Sequence, residues 1–303
     1  VAEQRDRDRT VVGVDGSPGG RAALAWALTD AARRGVRLEV VSAFPLQLIL
    51  SDPLLLDEAQ VEAVRADTLA RSEALVEEVR AETGCTDVPV DVLAVAGTPA
   101  PMLLAASEDA GLLVVGSRGR GAVRSLLLGS VALSCVTHSR IPVVVVHPRE
   151  ESAAGPARVV VGLDGSAASS AALERAAEEA RLLGGEVLAV AAYSAAAYWS
   201  DAYAVVLPRP EEMAAEVLAG AQRQVAAAQL PEDVPVRTES REGPAGDVLV
   251  AAARDAELLV VGGHGQGRVR GMLMGSVALH CVVSGPCPVL VVPGSRDGAA
   301  AGE

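Results

Sequence analysis

The sequence predicts an α/β fold: two tandem domains, each a doubly wound, five-stranded parallel sheet with strand order 3-2-1-4-5. Three observations lead there. β-branched runs alternate with helical patterns along the whole chain, which is the mark of a mostly parallel sheet. The pattern occurs twice: VVGVDGS at Val11–Ser17 returns as VVGLDGS at Val160–Ser166, DAGLLVVG at Asp109–Gly116 as DAELLVVG at Asp255–Gly262, and GSVALSC at Gly129–Cys135 as GSVALHC at Gly275–Cys281. Finally, 303 residues suit about two domains of roughly 150 residues. The repeat offset falls from 149 residues early to 146 later, so the second copy is three residues shorter. A period this long means duplicated domains and not a solenoid. The expected domains are 1–150 and 156–295, joined by PREESAAGPA at Pro148–Ala157, which has linker composition.

The elements of the first copy follow in order. A β-branched run, Val11–Val14, ends at Asp15. Ser17 has the chemistry of a helix cap and Pro18 that of a first helical residue. The helix continues to about Arg34, and Arg37–Ala43 is the second strand. A long amphipathic helix spans about Glu58–Thr83. Val90–Val95 is the third strand, Pro99–Asp109 a helix, and Leu112–Val115 the fourth strand. Ser130–Ser139 is a short helix and Val143–Val146 the last strand, repeated as Val289–Val292 in the second copy.

Composition narrows the function. The formal net charge is −13, which argues against nonspecific nucleic-acid or anionic-membrane binding. No apolar run approaches the roughly 20 residues that span a bilayer, and VAEQRDRDRT at the start has no signal-peptide core. Cys85, Cys135, Cys281 and Cys287 form no CxxC pair and no metal-ligand spacing with histidine. A soluble cytoplasmic protein with reduced thiols is expected. Cys135 and Cys281 occupy matching positions, where small buried hydrophobes are the commoner role.

In a doubly wound sheet, ligands bind beyond the carboxyl ends of the strands, where the strand order reverses. Those exits carry the repeated motifs: Gly13-Val14-Asp15 after the first strand and GSRGRGAVRSLLLGS, Gly116–Ser130, after the fourth. The spacing G-x2-G-x9-G-S recurs in GGHGQGRVRGMLMGS, Gly262–Ser276. Gly116 and Gly119 allow backbone N–H groups to approach an anion. Gly129 and Ser130 open a helix, whose N-terminus offers unpaired N–H groups. A P-loop would need GxxxxGK[ST], and the chain has no lysine at all. A dinucleotide fingerprint would follow the first strand. Asp15 and Asp164 either contact the ligand or serve only as helix caps. Arg118, Arg120 and Arg124 are a local cluster of cations at the expected anion site. His138 and His280 read as surface or helix-end residues. Tyr193, Tyr198, Trp199 and Tyr203 cluster in the variable stretch of the second copy and suit shielding of the ligand, a second ligand site or an interdomain contact.

These motifs together resemble the universal stress protein family, in its tandem-domain, ATP-binding branch. The resemblance implies the adenine nucleotide alpha hydrolase-like form of the sheet. It also implies ATP, with Mg2+, held by backbone N–H groups and the Ser130 hydroxyl without a lysine. It places Gly13, Val14, Asp15 and Ala43 on the base and ribose side, and Val115, Gly116, Arg118, Gly119, Gly129, Ser130, Val131 and Ala132 around the phosphates. In the second copy it points to Gly162, Leu163, Asp164, Ala192, Val261, Gly262, His264, Gly265, Gly275, Ser276, Val277 and Ala278. His264 departs from the first copy's Arg118. The family pairs its last strands between domains, so the resemblance implies an intrachain pair through Val143–Val146 and Val289–Val292, with a homodimer as further association. The expected role is stress-linked ATP sensing with an unnamed downstream partner. The alternatives are a slow ATPase and a nucleotide-free interaction module. No catalytic residue is assigned.

Overall fold

The computed structural model describes residues 8–44, 58–119, 128–147, 156–194, 209–265 and 274–294. The chain divides into two compact units, Val1–Pro148 and Arg149–Glu303.

The first unit contains β1 (Arg9–Gly13), α1 (Pro18–Arg34), β2 (Arg37–Phe44), α2 (Glu58–Thr83), β3 (Val90–Ala96), α3 (Pro99–Ala106), β4 (Leu112–Gly116), α4 (Ser130–His138) and β5 (Val143–Val146). All pairings within it are parallel, in the order β3-β2-β1-β4-β5. Val12 stands between Val40 and Val114 in register. Because β2 and β4 flank β1, the chain winds outward from β1, returns, and leaves on the other side. The exits of β1 and β4 are therefore the reversal point.

The second unit repeats this with β6 (Arg158–Gly162), α5 (Ala167–Leu183), β7 (Glu186–Tyr193), α6 (Pro210–Ala227), β8 (Val236–Glu242), α7 (Ala245–Ala252), β9 (Leu258–Gly262), α8 (Ser276–Ser284) and β10 (Val289–Val292). Its order is β8-β7-β6-β9-β10, again parallel.

Local chemistry explains the boundaries. Ser17 accepts the Gly20 N–H at 3.1 Å and caps α1, with Pro18 at the first turn. Ser166 caps α5 in the same way through the Ser169 N–H, at 3.1 Å. Gly35 and Gly184 end the two helices at φ 68° and 63°, a left-handed turn that side chains disfavour. Pro99–Asp109 was expected to be one helix. The chain leaves it at Ala106, where Ser107 and the following residues form a turn. The strands extend one residue beyond Ala43, Val95 and Val115, because ladder bonds outlast the β-branched run.

In each unit the central strands are buried on both sides: Val11, Val12, Val40, Leu113 and Val114 in the first, and Val159, Val160, Val161, Leu259 and Val260 in the second, have no exposed surface. Helix α1 turns Ala23, Leu24, Ala27, Leu28 and Ala31 inward, the three- and four-residue spacing of one helix face. Helices α1 and α2 pack together over the sheet, as do α3 and α4, which gives two helical layers. Each first helix also buries one carboxylate beside an arginine. Asp30 accepts from Arg34 and Glu179 from Arg175, both at 2.7 Å, as a charge in this environment requires.

Candidate functional site

The turn after β1 is built around Asp15. Its Oδ1 accepts the Ser17 N–H at 3.0 Å and the Ser17 hydroxyl at 2.5 Å. This is an Asx turn, so the helix cap is Ser17 and Asp15 supports the turn. Its Oδ2 faces the loop after β4: a methyl group added at Gly119 would stand 2.6 Å from it. The second copy repeats both features, with Ser166 N–H to Asp164 Oδ1 at 3.0 Å and 2.5 Å between a methyl at Gly265 and Asp164 Oδ2. The two motifs thus meet at the reversal point of each sheet, as their spacing predicts.

Glycine also permits close approach within the first domain. A methyl at Gly19 would lie 2.0 Å from the Arg118 carbonyl oxygen, and one at Gly116 would lie 2.4 Å from the Gly19 carbonyl oxygen. The start of α1 and the exit of β4 therefore touch backbone to backbone. The long loop is pinned at its ends by the Gly129 N–H, which donates to the Ser117 carbonyl at 2.8 Å. In the second copy the Gly275 N–H donates to the Gly263 carbonyl at 2.8 Å. Arg120 and Arg124 lie outside the described residues.

Helices α4 and α8 begin at these pins. Their N-caps, Gly129 and Gly275, contribute no side-chain cap bond. The first-turn N–H groups of a helix have no intrahelical acceptor, and their dipoles sum to a partial positive charge. Ser130, Val131 and Ala132 hold these positions in α4, and Ser276, Val277 and Ala278 in α8.

In the first domain, all twelve residues singled out from the sequence line one cavity of about 890 Å³: Gly13, Val14, Asp15, Ala43, Val115, Gly116, Arg118, Gly119, Gly129, Ser130, Val131 and Ala132. The structure adds residues that the motifs do not reveal. Phe44, Pro99 and Leu103 give the cavity an apolar wall, and α2 contributes Val64, Thr68, Arg71, Ser72, Leu75 and Glu78. Leu103 explains Gly13, since a methyl there would come within 2.8 Å of its Cδ1. Nothing in the spacing of α2 marks it as a wall, because its pattern is that of any helix covering a sheet. Among the described lining residues the charged groups are Asp15, Glu78, Arg71 and Arg118. Arg71 is ion-paired with Asp67 and Glu78 with Arg21, while Arg118 is exposed.

The second set occupies equivalent places. Leu163 donates its N–H to Val190 at 2.9 Å, as Val14 does to Val41 at 3.0 Å. Gly162 meets Leu249 as Gly13 meets Leu103. Ala192 lies near the end of β7 opposite Arg241, and Val261 sits in β9 opposite Val291. His264 is half-buried. Asp164 is exposed where Asp15 is half-buried.

The other candidates have structural roles. Cys135 and Cys281 are fully buried, and burial pushes their thiols up to about 12. They stay protonated at neutral pH and are poor nucleophiles. His138 ends α4 with Nδ1 2.9 Å from the Ser134 carbonyl. His280 lies at the surface, as expected, on α8, and pairs with Asp247 on α7 at 3.0 Å. Tyr193 closes β7, and its carbonyl accepts the Gly243 N–H at 2.8 Å. Tyr198, Trp199 and Tyr203 lie outside the described residues. Among the described residues no helix is long and apolar enough to cross a membrane.

Comparison with known proteins agrees with this architecture. The model of the universal stress protein family matches residues 7–147 and again 156–293. The chain is 35% identical to universal stress protein Rv2005c of Mycobacterium tuberculosis, over 96% of this chain and 99% of that protein. It is 34% identical to universal stress protein Rv1996 of the same organism, over 95% and 96%. Its fold is similar to that of a solved universal stress protein from Archaeoglobus fulgidus DSM 4304, with a TM-score of 0.67, 22% identity, and coverage of 95% of this chain and 97% of that one. The chain belongs to the universal stress protein family, with two family domains in tandem.

Proposed function

We propose that the protein is an ATP-binding regulator of a stress response, with one nucleotide site at the β-strand reversal point of each domain. The observation that supports this best is the first-domain cavity. It joins an apolar wall, for a base, to a glycine-lined floor and an uncapped helix N-terminus, for phosphates. A methyl group at Gly116 would collide with the Gly19 backbone and one at Gly119 with the Asp15 carboxylate, so the packing that holds this floor in place depends on glycine. Val14, Ala43, Phe44 and Leu103 would hold the base and ribose. Gly116, Arg118, Gly119, Gly129 and Ser130 would hold the phosphates, and their counterparts from Gly162 to Ala278 would do the same in the second domain.

Mg2+ fits this arrangement only as a companion of the phosphates. Among the described residues no three His, Cys, Asp or Glu side chains converge on a metal position. Asp15 has one oxygen committed to Ser17 and would add at most one ligand. That suits an ion that retains water and phosphate oxygens. The acidic chain, at −13, is read as a cytoplasmic protein that acts on a downstream protein partner and not on nucleic acid.

Mass spectrometry of freshly purified, denatured protein tests the reading. Co-purified ATP or its hydrolysis products are expected. If calorimetry also finds no binding with millimolar Mg·ATP, the nucleotide reading fails and an interaction module takes its place.

A further inference from the structure

The two sites differ where α2 and α6 pass the turn after the first strand. In the second domain the Gln224 side chain, on α6, bridges that turn. Its Oε1 accepts the Gly165 N–H at 3.1 Å, and its Nε2 donates to the Ser169 hydroxyl at 2.8 Å and the Ser170 hydroxyl at 2.9 Å. Ser169 in turn donates to the Ser166 carbonyl at 2.9 Å. One amide side chain therefore ties α6 to the strand–helix turn and uses a backbone N–H that the turn could offer to a ligand.

The repeat offset of 149 residues identifies the counterparts in the first-domain turn: Gly16 for Gly165, Gly20 for Ser169 and Arg21 for Ser170. There the helix is held differently. Arg21 reaches Glu78 at 3.0 Å and Glu82 at 2.6 Å, so Glu78 is pulled toward α1 by an ion pair. Gly16, Gly20 and Glu78 all line the open cavity. Gly20 has no side chain to fill the space beside Asp15, and a methyl there would stand 2.8 Å from Asp15 Oδ1. The substitutions at 20 and 21 thus separate an open turn from a tied one.

We infer that Gln224 is a latch across the second nucleotide site, so that the first domain loads with ligand before the second. This rests on the nucleotide reading proposed above. A ligand entering the second site must displace Gln224 from the Gly165 N–H, whereas the first site asks for no such exchange. Releasing one or two of these hydrogen bonds corresponds to roughly a tenfold difference in affinity. Gln224 is a positioning residue: it sets access to the site without being part of the phosphate cradle.

The test is calorimetric titration of the full chain with Mg·ATP. Ser130→Glu and Ser276→Glu place a carboxylate at the helix start and silence the first or the second site. The wild-type chain is expected to show one tight equivalent, lost in Ser130→Glu and retained in Ser276→Glu, with the second equivalent at least about tenfold weaker. Gln224→Ala should strengthen that second equivalent about tenfold, and Ser276→Glu should abolish the gain. The reverse change, Gly20→Ser with Arg21→Ser and Glu78→Gln, should weaken the first site. Two equivalents of equal affinity in the wild-type chain, or a second equivalent unmoved by Gln224→Ala, overturn the latch while leaving the nucleotide reading intact. No binding by any variant overturns both.

Discussion

The turn Asp15–Gly20 and the turn Asp164–Ser169 share a backbone plan but carry different side chains. Both place an aspartate oxygen on the N–H two residues on, at 3.0 Å, and both cap a helix with serine at 3.1 Å. The first then uses two glycines, Gly19 and Gly20, where the second has Ala168 and Ser169. With Gly19 the loop after β4 lies against the helix start, and the Arg118 carbonyl occupies the space where a methyl would be. The second turn has that methyl. A duplicated motif therefore conserves the hydrogen bonds that build the turn, while the space beside it can diverge, because folding depends on the bonds and ligand access on the space.

The largest expected effect concerns what the two domains share. Leu24 and Leu173 are counterparts with no exposed surface. Leu24→Ala and Leu173→Ala should each cost about 3 kcal/mol, measured by denaturant unfolding. A difference of more than about 1.5 kcal/mol between them would mean that the cores, and not only the sites, have diverged.

Gly19→Ala sharpens the contrast. Its methyl would lie 2.0 Å from the Arg118 carbonyl, so backbone must move, at a cost of about 2 kcal/mol. First-domain ATP binding should fall with it. The counterpart Ala168→Gly removes a methyl that the second domain already accommodates, and should cost about 1 kcal/mol through helix propensity. Thermal melts and titration of both variants check this, and equal losses would erase the distinction between the turns.

Gly119→Ala and Gly265→Ala should behave alike. Each methyl would press on an aspartate Oδ2, at 2.6 and 2.5 Å. The carboxylate can rotate away, so stability should change little while ATP affinity falls about tenfold, or roughly 1.4 kcal/mol. Unchanged affinity in both would remove the loop glycines from the site.

The smallest effect is at the caps. Ser17→Ala and Ser166→Ala should each cost about 1 kcal/mol in unfolding experiments. A negligible loss at either position would show that its aspartate supports the turn without the cap.

Much of this was legible in the chain. Ser17 and Pro18 announce the start of α1, and the β-branched runs mark the strands to within two residues, β1 beginning at Arg9 and ending at Gly13 where Val11–Val14 is expected, since caps, turns and strand pairing are decided by local residue chemistry. The repeated G-x2-G-x9-G-S spacing located the loop ends that the Gly129 and Gly275 N–H groups pin. The helical wall was not legible. Val64, Arg71 and Glu78 reach the cavity only because α2 crosses the strand exits, and no residue in α2 advertises that crossing. Gln224 reads as an ordinary helical glutamine, and its partners Gly165, Ser169 and Ser170 lie more than fifty residues away.

By itself, then, the sequence determined the duplication, the order of strands and helices, the family, and the motifs that meet at the strand exits. Periodicity, capping and repetition are written in neighbouring residues. Only the tertiary structure decided that Gly13 faces Leu103, that Gly19 touches Arg118, and that the first domain has an open cavity where Gln224 bridges the turn of the second. Those contacts depend on how helices cross a twisted sheet, and side chains distant in sequence become neighbours only once the layers have packed.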